Sequence, residues 1–138
     1  MAKLDEIQEG VTEINERSAP RAIREQDANA MIRVLSQQPP QNVIIYFLSA
    51  NEEARRLAES IRAILLAAGW QCEELNSKMP FSRGPLPGIQ VYTREKTGPG
   101  LILLNAIGNV GLHVKGTLRE NLPTNTIELN VFGKPQQL

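Results

Sequence analysis

The feature that most constrains this chain is an order of elements that occurs twice. From Val43 to Leu75 the sequence reads strand, helix, glycine, strand. From Ile89 to Leu118 it does so again, with Ile61, Leu65 and Gly69 of the first unit corresponding to Leu103, Ile107 and Gly111 of the second. A strand that returns parallel to its predecessor through a helix does so by a right-handed crossover, which lays the helix back on the sheet. Two such units predict an α/β fold with a mixed sheet of four to five strands, either a ferredoxin-like split arrangement or a small sheet with helices on both faces. The predicted organisation is an N-terminal helical segment over residues 1–40 and an α/β domain over 41–138.

Each element has a local reason. Val43 to Leu48 is an unbroken apolar run rich in β-branched and aromatic residues, which predicts a central strand covered on both faces. Ser49 and Glu52 fit an S-x-x-E capping box, and Ala54, Leu57, Ala58, Ile61, Ile64, Leu65 and Ala68 follow at helical spacing up to Gly69. Trp70 to Leu75 predicts the returning strand. Pro80, Gly84, Pro85, Pro87 and Gly88 mark residues 76–88 as a loop. In the second unit, Ile89, Val91 and Thr93 alternate with Gln90 and Tyr92, Leu101 to Val110 reads as a helix, and Leu112 to Leu118 as a strand. Ile127, Leu129 and Val131 alternate with Glu128 and Asn130 in a last strand, expected to form an antiparallel hairpin with the one before it.

Ahead of this domain, Leu4, Ile7, Val11 and Ile14 fall on one stripe of a helix whose other face carries Asp5, Glu6, Glu9, Glu13 and Glu16. So short a helix is marginal alone, so the stripe is read as an association surface or the end of a longer helix. Ser18 and Pro20 predict the start of a second helix, with Ile23, Ala30, Met31, Val34 and Leu35 on its apolar face and Pro39-Pro40 as its stop.

Charge and composition exclude several activities. Fifteen basic residues balance fifteen acidic ones, and only 4% of residues are aromatic, so neither a field nor a stacking platform for nucleic acid is expected. One cysteine, Cys72, and one histidine, His113, supply no disulfide and no multi-ligand metal set. No cofactor signature occurs: G-x-G-x-x-G and Walker loops are both missing. Cys72 and His113 follow the glycines that end the two helices, which could bring them onto neighbouring strands as nucleophile and base, but no third orienting group accompanies them. Glu73 and Glu74 are adjacent, so on a strand they would face opposite ways. Lys78, Met79, Phe81 and Arg83 make a loop with one aromatic, better suited to packing on the sheet than to base stacking, and Trp70 reads as packing after a helix cap. Glu52 and Glu53 repel a phosphate from the turn at Ser49. The better anion candidate is Arg94, Lys96, Thr97, Gly98 and Gly100, which precede a helix with no acid in its first turn.

The run Glu53-Ala54-Arg55-Arg56-Leu57-Ala58 with Ile61, Leu65 and Ala68-Gly69-Trp70, together with Gly88-Ile89-Gln90-Val91 and the closing Phe132-Gly133-Lys134-Pro135, resembles a group of uncharacterised bacterial α/β domains. These share an E-A-x-x-x-A-x-x-I-x-x-x-L-x-x-A-G-W pattern and a terminal strand followed by G-x-K-P, from which this chain departs in having Gly133 directly before Lys134. The resemblance covers about residues 42 to 135. It implies a helical linker and transmembrane helices upstream, which would make the acidic N-terminal stripe a juxtamembrane connector, and it implies no catalytic residues; the expected location is cytoplasmic or membrane-proximal on the cytoplasmic side.

These readings converge on a non-enzymatic interaction or sensor-type domain presented by an amphipathic N-terminal helix that mediates self-association, through Leu4, Ile7, Val11 and Ile14, or membrane-proximal attachment. The alternative is binding or turnover of a small anionic ligand, a nucleotide or phosphometabolite, at residues 94–100.

Overall fold

The computed structural model describes residues 20–78 and 88–133. In chain order these form α1 (Glu25–Ser36), β1 (Asn42–Leu48), α2 (Glu52–Ala67), β2 (Gln71–Cys72), β3 (Asn76–Lys78), β4 (Ile89–Thr93), α3 (Pro99–Asn109), β5 (Val114–Leu118) and β6 (Thr126–Val131). The α/β class and both expected β-α-β units are present, in a mixed six-stranded sheet ordered β2-β1-β6-β4-β5, with β3 continuing the β2 side of β1. Within each unit the strands are parallel, β1 with β2 and β3, and β4 with β5. The two units run in opposite directions, and β6 joins them, parallel to β1 and antiparallel to β4.

Several strand assignments are corrected, including Asn76–Lys78, expected as loop and found as strand. β5 and β6 form no hairpin, because β6 crosses to the middle of the sheet and β5 stays at its edge. The centre is β6 rather than β1. The returning strand of the first unit is also shorter than expected and is broken: Gln71–Cys72 pairs with the start of β1, Glu73 to Leu75 leave the ladder, and Asn76–Lys78 rejoins at its end.

Register identifies the two faces of the sheet. Ile45, Leu129 and Val91 lie in one row across β1, β6 and β4, and all three are buried in the core that Leu57, Ile61, Leu103 and Ile107 of the helices share. All helices among the described residues therefore sit on that face rather than on both, but neither β-α-β unit is split, because β1 lies beside β2 and β4 beside β5 with no strand between them. The opposite row, Tyr46, Asn130 and Gln90, carries polar groups.

Local signals are partly relocated. The cap of α2 is Asn51, whose side chain accepts from Ala54 N–H at 2.9 Å, and Ser49 belongs to a turn in which Ala50 has φ 62°. Helix α1 begins at Glu25, after five described residues that Arg21 ties down, and ends at Ser36 before the proline pair. Its Met31 and Leu35 enter the common core, and Trp70 Nε1 donates to Leu35 O at 3.0 Å, so α1 is packed onto the α/β unit rather than standing apart. No helix among the described residues is long and apolar enough to cross a membrane.

Candidate functional site

Residues 94–98 connect β4 to α3, and Arg94, Glu95 and Thr97 with Pro99 and Gly100 of the helix line a cleft of about 270 Å³, closed on its other side by Pro39, Gln41 and Thr124 to Ile127. The structure divides the predicted anion set. Arg94, Thr97 and Gly100 line this cleft, while Lys96 lines a second one. Gly98 is the N-cap of α3 with φ 90°, a left-handed conformation that costs glycine little, and it offers no side chain to the amides of the first turn. Arg94 is engaged: its Nη1 donates to Thr124 Oγ1 at 2.7 Å, bracing the turn before β6. Gly100 is explained by packing, because a Cβ there would stand 2.4 Å from Thr93 Cγ2.

The second cleft, about 170 Å³, lies between α3 and β5 and is lined by Leu101, Leu104, Gly116 and Leu118 with Thr93 and Lys96 at one end. Helix α3 contains no charged residue from Pro99 to Asn109, and its exposed positions are the uncharged Asn105, Gly108 and Asn109. Its apolar residues are covered to different degrees. Leu103, Ala106 and Ile107 are buried, whereas Leu101, Ile102 and Leu104 are half-buried, and Leu118 beside them is 42% exposed. Helix α2, built at the equivalent place in the first unit, carries instead a lattice of exposed charge in which Arg55 pairs with both Glu52 and Glu59. The hydrogen bond from Arg55 holds the Glu52 carboxyl below its ordinary range.

On the face opposite the described helices, the sequence reading missed a polar cluster. Arg119 Nη1 donates to Glu128 Oε1 at 3.0 Å, Asn130 Nδ2 donates to Glu128 Oε2 at 2.9 Å, and the Arg119 guanidinium lies 4.0 Å from the Tyr92 ring centroid. Glu128 is 9% exposed and Asn130 fully buried. Both carboxylate oxygens thus have donors and the charge is countered in place, which suits a positioned structural group more than an acid or base. Alternation in β6 and β4 was the signal: Glu128 and Asn130 share a face with Gln90 and Tyr92 once the strands are neighbours.

A third polar group lies where β1 and β6 end. Arg21 donates through N, Nε and Nη2 to the Glu53 carboxylate at 2.7, 2.8 and 2.7 Å, and also through Nη2 to Phe132 O. Its Nη1 is buried without a hydrogen-bond partner among the described residues.

The remaining candidates do not assemble. Cys72 lies on β2 and His113 just before β5, at opposite edges of the sheet, so they are not nucleophile and base to one another. Burial pushes the Cys72 thiol above its ordinary pKa, away from the reactive thiolate. Glu73 and Glu74 sit in the gap between β2 and β3, and Trp70 is a core residue. Among the described residues no group of three His, Cys, Asp or Glu could hold a metal ion. Leu4, Ile7, Val11 and Ile14 lie outside the described residues, as do Met79, Phe81 and Arg83. No family model, curated protein or solved structure matches the chain.

Proposed function

We propose that this chain is a non-enzymatic interaction domain of sensor type, the extramembrane part of a membrane-tethered protein, and that it works by self-association. The observation that carries this reading is α3: a helix without a charge, half-covered, flanking an apolar cleft and an open sheet edge. Desolvating such a surface gains apolar burial and involves no charge apart from Glu95 and Lys96 in the cleft lining, a composition close to that expected at the core of a protein–protein contact. The N-terminal stripe of Leu4, Ile7, Val11 and Ile14 is a further association surface on this reading, and the upstream tether follows from the resemblance of residues 42–135 to membrane-linked domains.

The competing reading, a small anionic ligand at residues 94–100, has the 270 Å³ cleft and the uncapped α3 N-terminus in its favour. Against it, Arg94 already serves Thr124 and Glu95 lines the same cleft. The two are separated by measuring mass against concentration by sedimentation velocity and thermal shift against inorganic phosphate, nucleotides and sugar phosphates. The interaction reading expects a mass that rises with concentration and no saturable shift. A constant monomer mass with a saturable shift that Arg94→Ala removes overturns it.

A further inference from the structure

We infer that two copies of this chain join through their β5 edges, antiparallel and centred on Gly116, so that one sheet runs through both. This rests on the self-association reading above and names the surface and register. The two edges of the sheet differ. The β2/β3 edge is interrupted at Glu73–Leu75, where Arg62 Nε reaches over from α2 to the Glu73 carbonyl at 3.0 Å, and a broken edge is a poor template for pairing. The β5 edge is five consecutive residues in unbroken register with β4, without proline and with Lys115 as its one charge.

Hydrogen bonding fixes which groups face outward. Ile89 N donates to His113 O and Arg119 N to Thr93 O, so the odd-numbered residues of β5 turn their amides and carbonyls toward β4. Those of Val114, Gly116 and Leu118 point away from the sheet. In an antiparallel pair centred on Gly116, Gly116 faces Gly116 of the second copy and Val114 faces its Leu118. Every outward N–H and C=O of the three residues then finds a partner.

The side chains agree with that register. Val114, Gly116 and Leu118 lie on the helix side, where a Cβ at Gly116 would meet Leu104 Cδ2 at 2.8 Å. The pairing therefore sets Leu118 against Val114 twice and brings the chargeless α3 helices alongside the seam, covering Leu101 and Leu104. On the other face Lys115 meets Thr117 of the second copy rather than another lysine, so no like charges oppose one another.

The test uses the full chain carrying Ile7→Asp and Val11→Asp, so that the N-terminal stripe contributes nothing, with sedimentation velocity as readout and circular dichroism to confirm folding. The parent should dimerise. Thr117→Lys, which sets lysine against Lys115 twice across the two-fold axis, should weaken the dimer by about tenfold. Lys115→Glu in that background should restore it to within about threefold, because each new pair then has opposite signs. Dimerisation unaffected by Thr117→Lys, or a double variant no tighter than the single, overturns the β5 register while leaving self-association standing. Loss of the dimer on Ile7→Asp/Val11→Asp alone assigns association to the stripe and overturns the edge contact. A wild-type chain that stays monomeric at every concentration removes both this inference and the reading it rests on.

Discussion

Replacing Glu53 by alanine should cost more than any exposed charge change in this protein. The Arg21 side chain is 9% exposed and the Glu53 side chain 20%. Glu53 accepts from the Arg21 backbone amide, Nε and Nη2, and Nη1 already lacks a partner among the described residues. Without the carboxylate, a guanidinium nine-tenths out of water retains only the Phe132 carbonyl. Breaking a buried pair from one side costs about 3–5 kcal/mol, and the partial exposure of Glu53 places this case near about 3 kcal/mol. At about 4 °C per kcal/mol for a chain of this size, the Tm should fall by about 12 °C. The reverse change, Arg21→Met, should cost only about 1–2 kcal/mol, because Glu53 stays in the first turn of α2, where the helix dipole favours its charge and water reaches it. The double variant Arg21→Met/Glu53→Leu should recover most of the loss, since no charge is then stranded. Urea denaturation of the wild type, both singles and the double measures all of these. Equal costs for the two singles, or a double variant as unstable as their sum, would refute the argument that the stranded guanidinium sets the penalty.

Three other outcomes are expected. Gly69 and Gly88 both have positive φ, but a Cβ at Gly69 meets nothing within 4 Å whereas one at Gly88 would stand 2.8 Å from the His113 carbonyl. Gly69→Ala should therefore cost about 1 kcal/mol and Gly88→Ala at least about 2 kcal/mol more in the same urea assay; equal costs would remove the steric argument. Trp70→Phe strips a buried donor from the Leu35 carbonyl and should lose about 1–3 kcal/mol by denaturation, and a neutral result would show that α1 does not depend on this bond. Cys72, with its thiol pushed up by burial, should react with a thiol reagent far more slowly than it does in urea. The same shift makes stability fall as pH rises past the ordinary thiol range, since the unfolded chain gives up its proton first; an alkaline titration of Tm that Cys72→Ala leaves unchanged would count against this.

The elements were legible where periodicity and punctuation agreed. Ala54 to Ala68 followed by Gly69, and Pro39-Pro40 after Leu35, each join a pattern to a stop signal, and both helices end where those signals stand. Strand order was not legible, because nothing local distinguishes a strand that turns back on its predecessor from one that crosses to the far side of a neighbour. Thr126 to Val131 looked like the outer half of a hairpin on account of Glu128 and Asn130. It is the centre of the sheet, and its polar residues are accommodated because the described helices cover only one face and Arg119 and Asn130 supply donors to Glu128. The cap of α2 moved from Ser49 to Asn51 for a related reason: two residues of suitable chemistry stood two apart, and the turn through Ala50 decided between them.

The site was legible in part for the same physical reason. In the sequence Gly98 and Gly100 read as part of an anion-binding turn before an acid-free helix start, yet a Cβ at Gly100 would collide with Thr93, so this glycine lets α3 approach β4, which only a contact across the fold could reveal. The better clue was a contrast between the two units. Both use a strand, a helix and a glycine to build one crossover, and both rest their helix on the same face. One helix spends its outer surface on Glu52, Arg55, Arg56 and Glu59, while the other has no charge from Pro99 to Asn109. Folding alone demands only the inner stripe of each; the outer surface of α2 carries charge, while α3 meets water through the uncharged Asn105, Gly108 and Asn109 and leaves Leu101, Ile102 and Leu104 half-buried. The edge strand beneath each helix differs in the same sense, broken under α2 and continuous under α3. Solvent exposure would penalise that combination twice, through uncovered leucine and through an unprotected strand edge, whereas a second copy in the Gly116-centred register relieves both at once.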